Sequence, residues 1–424
     1  MGEKSVRWWE RSYVVWTVFG LASVWLGWRG YVAEAIPYGD VSFVYEFWAN
    51  QAVTSGPIVG LETIWVYPVV ALIPVLLPLI AGPGSYALGW IVMVTAVNAA
   101  AIAVLVHVNT SPAKQDGGPA ALDVSLLRRR QKIAAWWWIA FLVLLGPIAV
   151  ARLDTVVTPL VIIGLVMLAK RPFFASSLIT IATWIKVWPA AVLISMVTIL
   201  KDRRAVFLGS LITTSGIMVL ALILGGANSI LSFLTEQTGR GLQIEAPLAT
   251  PFLWLVSSGV AGYEIYYDTD ILTFQVRGDG TDTVAMISSL LLGAAFIGAL
   301  VFGWRVSRKN ERSHEVLPAL VLVLTTILIV FNKVGSPQYI GWLAAPIVAG
   351  IVIAPKSYRT VSWLVLGLAL LTNIFYPDMY QGILAAGHME IVFLTVRNAV
   401  ELLLLFVSIS VTAANGGVGI KIAK

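Results

Sequence analysis

FASSLITIATWIKVWPAAVLISMVTIL, residues 174–200, holds a single charge, Lys186, in the middle of an otherwise apolar run. Basic residues bound it on both sides, Lys170 and Arg171 before it, Lys201, Arg203 and Arg204 after it. Each half is about 12 residues, or about 18 Å of helix at 1.5 Å per residue. That is too short to cross the roughly 30 Å of hydrocarbon in a bilayer. Cationic loops collect on one side of a membrane, so the segment reads as a helical hairpin broken at Pro189, lifting Lys186 toward the opposite leaflet. Irregular backbone at that depth is tolerated only against protein or a polar cavity. A cavity is expected there.

The rest of the chain agrees with a membrane setting. Of 424 residues, 58% are hydrophobic and 12% charged, whereas soluble domains run near 45–50% apolar and about 25% charged. Apolar segments fall at 13–33, 84–107, 133–151, 155–169, 206–227, 283–304, 316–332, 339–354, 360–376 and 390–412, with shorter pieces at 67–82, 174–200 and 247–260. Most have spanning length. The expected fold is an all-α polytopic membrane protein, one transmembrane domain over 1–424, with about 10–12 transmembrane helices plus re-entrant or interfacial ones. The basic start followed by an apolar run without a cleavage-site pattern reads as a retained first helix.

Charge sets the expected orientation. Basic clusters occupy Lys4/Arg7/Arg11, Lys114/Arg128/Arg129/Arg130/Lys132, Lys170/Arg171, Lys201/Arg203/Arg204, Arg305/Arg308/Lys309/Arg312, Lys356/Arg359 and Lys421/Lys424, which is 21 of the 28 lysines and arginines. Placing them inside puts both termini in the cytoplasm of a multi-pass plasma-membrane protein. Loop 34–66 is then outside and loop 108–132 inside, leaving 67–82 as an interfacial or re-entrant helix. The region 228–282 is also outside, and its 261–282 part reads as a short extended or loop excursion. The net charge of +6 reports this orientation, and no nucleic-acid partner is expected. There are no cysteines, and His107, His314 and His388 are scattered, so no metal site is expected. Trp and Tyr at segment ends, Trp136-Trp137-Trp138 among them, read as interfacial anchors.

Seven basic residues escape the inside clusters: Arg29, Arg152, Lys186, Arg240, Arg277, Lys333 and Arg397. The acids Asp40, Glu46, Glu62, Asp154, Glu245 and Glu264 share their side. Ionisable groups within or against a membrane mark function by default. Cations converging on one cavity suit an anionic headgroup such as a phosphate, and a carboxylate beside them suits proton abstraction from a hydroxyl. Asp40 reads as a general base or as the N-cap of the helix that follows. Arg152 and Asp154 read as site residues or as a structural ion pair, and Arg397 with Glu401 as an i,i+4 pair. Lys186, at a hairpin tip, has little structural excuse. Loop 238–245, with Gly239, Arg240, Gly241, Gln243 and Glu245, reads as a ligand loop or a solvated turn. Gly335 and Pro337 explain a turn but leave Lys333 beside Gln338 unexplained.

At these residues the chain resembles glycosyltransferase family 87 of the GT-C superfamily, common in actinobacteria. The resemblance rests on an ordered series: Asp40 and Tyr45; Trp65-Val66-Tyr67-Pro68; Arg152-Leu153-Asp154; Ile185-Lys186-Val187-Trp188-Pro189; Arg240-Gly241-Leu242-Gln243-Ile244-Glu245; Lys333-Val334-Gly335-Ser336-Pro337-Gln338-Tyr339; and Arg397-Asn398. It departs from the family at Val69, where a second proline is usual, and at Ala246, where serine is usual. The resemblance implies a GT-C-type bundle with its active site at the outer leaflet. It also implies a polyprenyl-phosphate sugar as donor, usually mannose and sometimes arabinofuranose, and an envelope glycolipid or lipoglycan as acceptor. Asp40 is the implied base. Lys186, Arg240, Lys333 and Arg397 are expected to bind the donor phosphate. Tyr45, Glu62, Tyr67, Arg152, Asp154, Gln243, Glu245, Gln338 and Tyr339 are expected to contact sugar or acceptor. No cofactor or metal is expected, and a monomer is. A transporter or flippase for an anionic lipid or solute is the rival class, since broken helices and intramembrane cations occur there too.

Overall fold

The computed structural model describes residues 7–33, 36–110, 124–201, 203–236, 239–269, 271–308 and 313–417. Lys4, Lys114, Lys309, Arg312, Lys421 and Lys424, and also Thr238 and Asp270, lie outside these. The chain is an all-α polytopic membrane protein. Seven helices among the described residues are long and apolar enough to cross a bilayer, and six shorter apolar helices pack with them.

The order begins with α1 (Ser12–Val32), a π-helical turn Asp40–Tyr45 leading into α2 (Glu46–Val53), and the short α3 (Leu72–Leu76) between 3-10 turns. The 67–82 region is thus a broken helix too short to span, as its length requires. The chain continues through α4 (Tyr86–His107), α5 (Val124–Leu145) and α6 (Asp154–Met167) to α7 (Pro172–Ile185) and α8 (Ala190–Ile199). Between α7 and α8 the backbone opens at Lys186, which is extended at φ −152° and ψ 135°. Pro189 explains the break: it has no N–H to give a preceding turn and forces the residue before it out of helical geometry.

Then come α9 (Arg204–Ile223), α10 (Thr250–Ser257), the hairpin β1 (Glu264–Asp268) and β2 (Thr273–Arg277), α11 (Thr281–Arg308), α12 (Ser313–Val330), α13 (Ala344–Ile353), α14 (Arg359–Asn373), α15 (Tyr380–Leu384) and α16 (His388–Asn415). The excursion expected within 261–282 is the antiparallel hairpin, Glu264 opposite Arg277 and Asp268 opposite Thr273.

Helix burial follows composition. Within its most apolar window α12 is 83% buried, whereas α9 and α11 are each 17% buried. α12 is therefore the central post, against α8, α11, α13 and α16, and α9 and α11 face outward. Small residues bring the helices close, because lipid supplies no hydrophobic drive for helix association. A Cβ at Gly209 of α9 would lie 2.6 Å from the Phe173 carbonyl oxygen of α7. Trp137 and Trp138 are buried and stack on Phe141 rather than anchoring at an interface.

The two sets of cations lie at opposite ends of the bundle. At one end Arg130 donates to the carbonyl of Ile353 at 2.9 Å, Lys170 to that of Asn109 at 2.9 Å, and Lys132 to that of Glu10. At the other, Arg152 stands just before α6, Lys186 just after α7 and Lys333 just beyond α12.

Candidate active site

Two acid–base pairs are crossed relative to the sequence. Arg152 and Asp154 are not each other's partners. Asp154, the first residue of α6, accepts the Lys186 ammonium at 2.5 Å and the Trp342 indole N–H at 2.6 Å, and its side chain is 3% exposed. Arg152 turns the other way. Its Nε lies 3.0 Å from the Asp40 carboxylate, its Nη1 donates to the Pro37 and Ala151 carbonyls at 2.7 Å, and its Nη2 donates to the Tyr376 hydroxyl at 3.3 Å. The tight turn before α6 aims two neighbouring charges at different elements, which spacing alone does not reveal.

Asp40 is the first residue of a π-helical turn whose N-cap position is Gly39, and the N-cap of α2 is Tyr45. The Asp40 carboxylate is oriented by Arg152 and remains 41% exposed. The N-cap reading is therefore replaced by an accessible, oriented carboxylate. Behind it Tyr45 is buried among Trp48, Tyr67 and Trp90, with ring centroids 6.0, 6.5 and 5.1 Å away. The Tyr67 hydroxyl lies within electrostatic reach of Asp40, Asp154 and Lys186, so one aromatic ring links the acid to the cation.

Lys186 sits at one end of a cavity of about 440 Å³. Its ammonium lies 5.8 Å from the ring centre of Tyr67 and 5.5 Å from that of Tyr339, which stacks on Trp342 at 4.2 Å. Aromatic faces attract a cation at such distances. Lys333 also lines it, with Asn332 and Ser289, and much of the rest is apolar: Ile194 from α8, Leu292 and Phe296 from α11, Leu328 from α12, with Phe233 and Phe331. The cavity is therefore amphipathic, with cations and phenols at one end and hydrocarbon surface at the other. It lies beside Lys186, where the broken hairpin calls for one.

Arg240 is not on that wall, yet it acts electrostatically on both Lys333 and Tyr339. Burial, and then the charge of Arg240, lowers the pKa of Lys333. Arg397 is elsewhere: buried on α16, it donates to the Glu245 carbonyl at 2.6 Å and lies 3.6 Å from the Glu245 carboxylate and 3.4 Å from Glu401. It does not face the cavity expected to hold the phosphate, because two carboxylates, a carbonyl and Asn398 already surround it. Burial pushes Glu245 up to about 8 against the pull of Arg397 and Arg152.

The other expected contacts divide. Gln243 is buried behind the cavity, its N–H donated to the Lys333 carbonyl at 3.0 Å. Gln338 accepts from Ser336 at 2.6 Å within its own turn. Glu62 is exposed and accepts the Ile58 N–H at 2.8 Å, closing its own loop rather than lining the cavity. Among the described residues no group of three or more His, Cys, Asp and Glu gathers as a metal site would require. Trp188 of the hairpin motif stacks on Trp342 at 5.7 Å, and residues not singled out in the sequence also enter: Trp342 on Asp154, Tyr376 on Arg152, and Tyr380, within electrostatic reach of Asp40 and Glu245. Each looks in sequence like one more interfacial aromatic.

The family model of glycosyltransferase family 87 matches residues 65–326, well over half of the chain. The protein belongs to glycosyltransferase family 87. No curated protein and no solved structure matches it. As a family 87 member it is a membrane glycosyltransferase, and the matched region carries Tyr67, Arg152, Asp154, Lys186, Arg240 and Glu245. Folding adds residues on both sides of that region: Asp40 reaches Arg152 from before it, and Tyr339, Trp342 and Lys333 meet Lys186 or line its cavity from after it.

Proposed function

We propose that this glycosyltransferase takes its sugar from a polyprenyl phosphate, mannose first and arabinofuranose as the alternative, and passes it to an envelope glycolipid or lipoglycan on the extracytoplasmic side of the plasma membrane. The carrying observation is the amphipathic cavity. A prenyl tail matches its wall of Ile194, Leu292, Phe296 and Leu328, and a phosphate monoanion or diester matches Lys186 and Lys333 at its polar end.

In the proposed step the acceptor hydroxyl oxygen attacks the anomeric carbon from the face opposite the phosphate. The bond from that carbon to the phosphate oxygen breaks, its electron pair stays on the phosphate, and the hydroxyl proton passes to Asp40. The products are the inverted glycoside and the free polyprenyl phosphate. Lys186 and Lys333 meet the charge growing on the departing phosphate, with Arg240 behind them; a preorganised donor of this kind is worth roughly 10²–10³ in rate. Asp40 suits the base better than Asp154, because Asp40 is accessible whereas Asp154 is buried against Lys186 and Trp342. Charge compensation is assigned to side chains rather than to a metal.

The test is to incubate purified protein, without any ion gradient, with radiolabelled polyprenyl-phosphate mannose and polyprenyl-phosphate arabinose separately in the presence of membrane glycolipids. Label moving from one donor into the glycolipid fraction supports the reading and names the sugar. Movement of intact donor across a vesicle membrane without sugar transfer would favour the transporter class instead.

A further inference from the structure

We propose that Arg397, with the buried carboxylates of Glu245 and Glu401, is a positioning residue: it fixes the 239–246 loop so that Arg240 is held beside Lys333 at the polar end of the cavity. The inference rests on reading that end as an anion site.

Arg397 fastens a turn. Its Nη2 donates to the Glu245 carbonyl at 2.6 Å, and its Nε and Nη2 donate to Asn398 Oδ1 at 3.0 and 2.7 Å. Asn398 in turn donates to the Thr250 hydroxyl at 2.8 Å. One residue pair on α16 thus grips both ends of the 245–250 segment. Upstream of that grip the loop runs along the hairpin: the Ile244 N–H reaches the Phe274 carbonyl at 3.3 Å, and the Val276 N–H reaches that of Leu242 at 3.0 Å. On its other side the Gln243 N–H meets the Lys333 carbonyl at 3.0 Å. Gly335 lies directly against the Glu245–Ala246 peptide, where a Cβ would come within 2.2 Å of the Ala246 nitrogen and 2.4 Å of the Glu245 carbonyl carbon. The backbones bearing Arg240 and Lys333 are therefore locked together, and Arg397 holds the lock from behind.

The device answers an electrostatic need. Two like charges brought side by side repel, and the Arg240 charge adds to burial in lowering the pKa of Lys333. A loop tied only by its own hydrogen bonds would relax by moving Arg240 away. Glu245 and Glu401 flank the Arg397 guanidinium at 3.6 and 3.4 Å, and Glu245 Oε2 and both Glu401 carboxyl oxygens have no hydrogen-bond partner among the described residues. Arg397 and, more remotely, Arg152 both pull the Glu245 pKa down against its burial. Breaking such a buried pair costs more than the pair contributes to stability.

The test measures binding of farnesyl phosphate, by intrinsic tryptophan fluorescence, to the full chain in detergent. Arg240→Gln and Lys186→Gln are compared in three backgrounds: the parent, Arg397→Met and Gly335→Ala. In the parent, Arg240→Gln is expected to weaken binding about tenfold, the scale of one lost charge-assisted contact. In the Arg397→Met and Gly335→Ala backgrounds it should cost less than about twofold, because Arg240 has already been displaced. Lys186→Gln, on a separate element, should cost the same in all three. A general loss of stability would leave the Arg240 effect intact, so an unchanged Arg240→Gln penalty across the backgrounds overturns the proposal. Gly335→Ala perturbs the same contact without touching a charge, and so carries the test if Arg397→Met does not fold. Absence of farnesyl phosphate binding by the parent, or indifference to Lys186→Gln, overturns the anion-site reading itself.

Discussion

Asp40 and Asp154 are the same residue type in one polar region, and their surroundings give them different work. Asp40 is oriented by Arg152 and reachable, so Asp40→Asn should leave a folded, inserted protein whose kcat falls by about 10²–10⁴, the usual worth of a general base. Glu62→Gln, in a loop closed on itself, should keep more activity, and near-parental turnover in Asp40→Asn would remove the base assignment. Asp154 is a counter-ion. Lys186→Met alone leaves it buried and unpaired, which typically costs about 3–5 kcal/mol. The double variant Lys186→Met with Asp154→Asn should recover the parental Tm while remaining inactive. If the double variant regains activity, Lys186 serves stability and not the phosphate. At this scale the sequence was readable in kind but not in pairing: Lys186 and Asp40 stand out as charges without a structural excuse, whereas the partners of Arg152 and Asp154 depend on which way a turn aims them. Arg397 shows the opposite failure. A cation off the basic clusters suggests a ligand site, yet Arg397 meets Glu401 one turn along α16, as the i,i+4 spacing allows, and Glu245 from a distant loop that only folding brings to it.

Among elements, the α7–α8 break was the most legible feature, because an internal lysine and proline between half-length helices admit few other arrangements. The hairpin of β1 and β2 showed only as a polar, tyrosine-rich excursion, since five-residue strands carry little periodic signal. The 239–246 loop, strung between that hairpin, α16 and the Lys333 turn, has its own pH signature. The folded pKa of Glu245, near 8, lies above its unfolded value near 4.5. Between those values the folded protein holds more protons than the unfolded chain, so stability falls as pH rises through that window and levels off above it. Tm measured from pH 5 to pH 9 should therefore decline and then flatten, and Glu245→Gln should remove that part of the decline. An unaltered slope in Glu245→Gln would place the titration elsewhere.

Over the whole molecule the membrane class was plain from composition, whereas the burial of individual helices was not, since α9 and α12 are similarly apolar and differ in what packs around them. The cavity is the product of that arrangement, drawing its walls from α8, α11 and α12 and its polar end from the turns beyond them. Leu292 of α11 lines it and is half-buried, so Leu292→Trp should be tolerated while filling the hydrocarbon end. It is expected to raise KM several-fold for a long polyprenyl donor, with little change in kcat and less effect on a donor with a short tail. Equal effects on both tail lengths would place the lipid elsewhere. The pairing of Asp154 with Lys186 has a consequence for biosynthesis. The two lie 32 residues apart on adjoining helices, so they leave the ribosome as one helical hairpin and can cancel each other's charge while entering the bilayer. Asp40 meets no such neighbour until Arg152 has been made, and its loop must stay hydrated through the synthesis of everything between them.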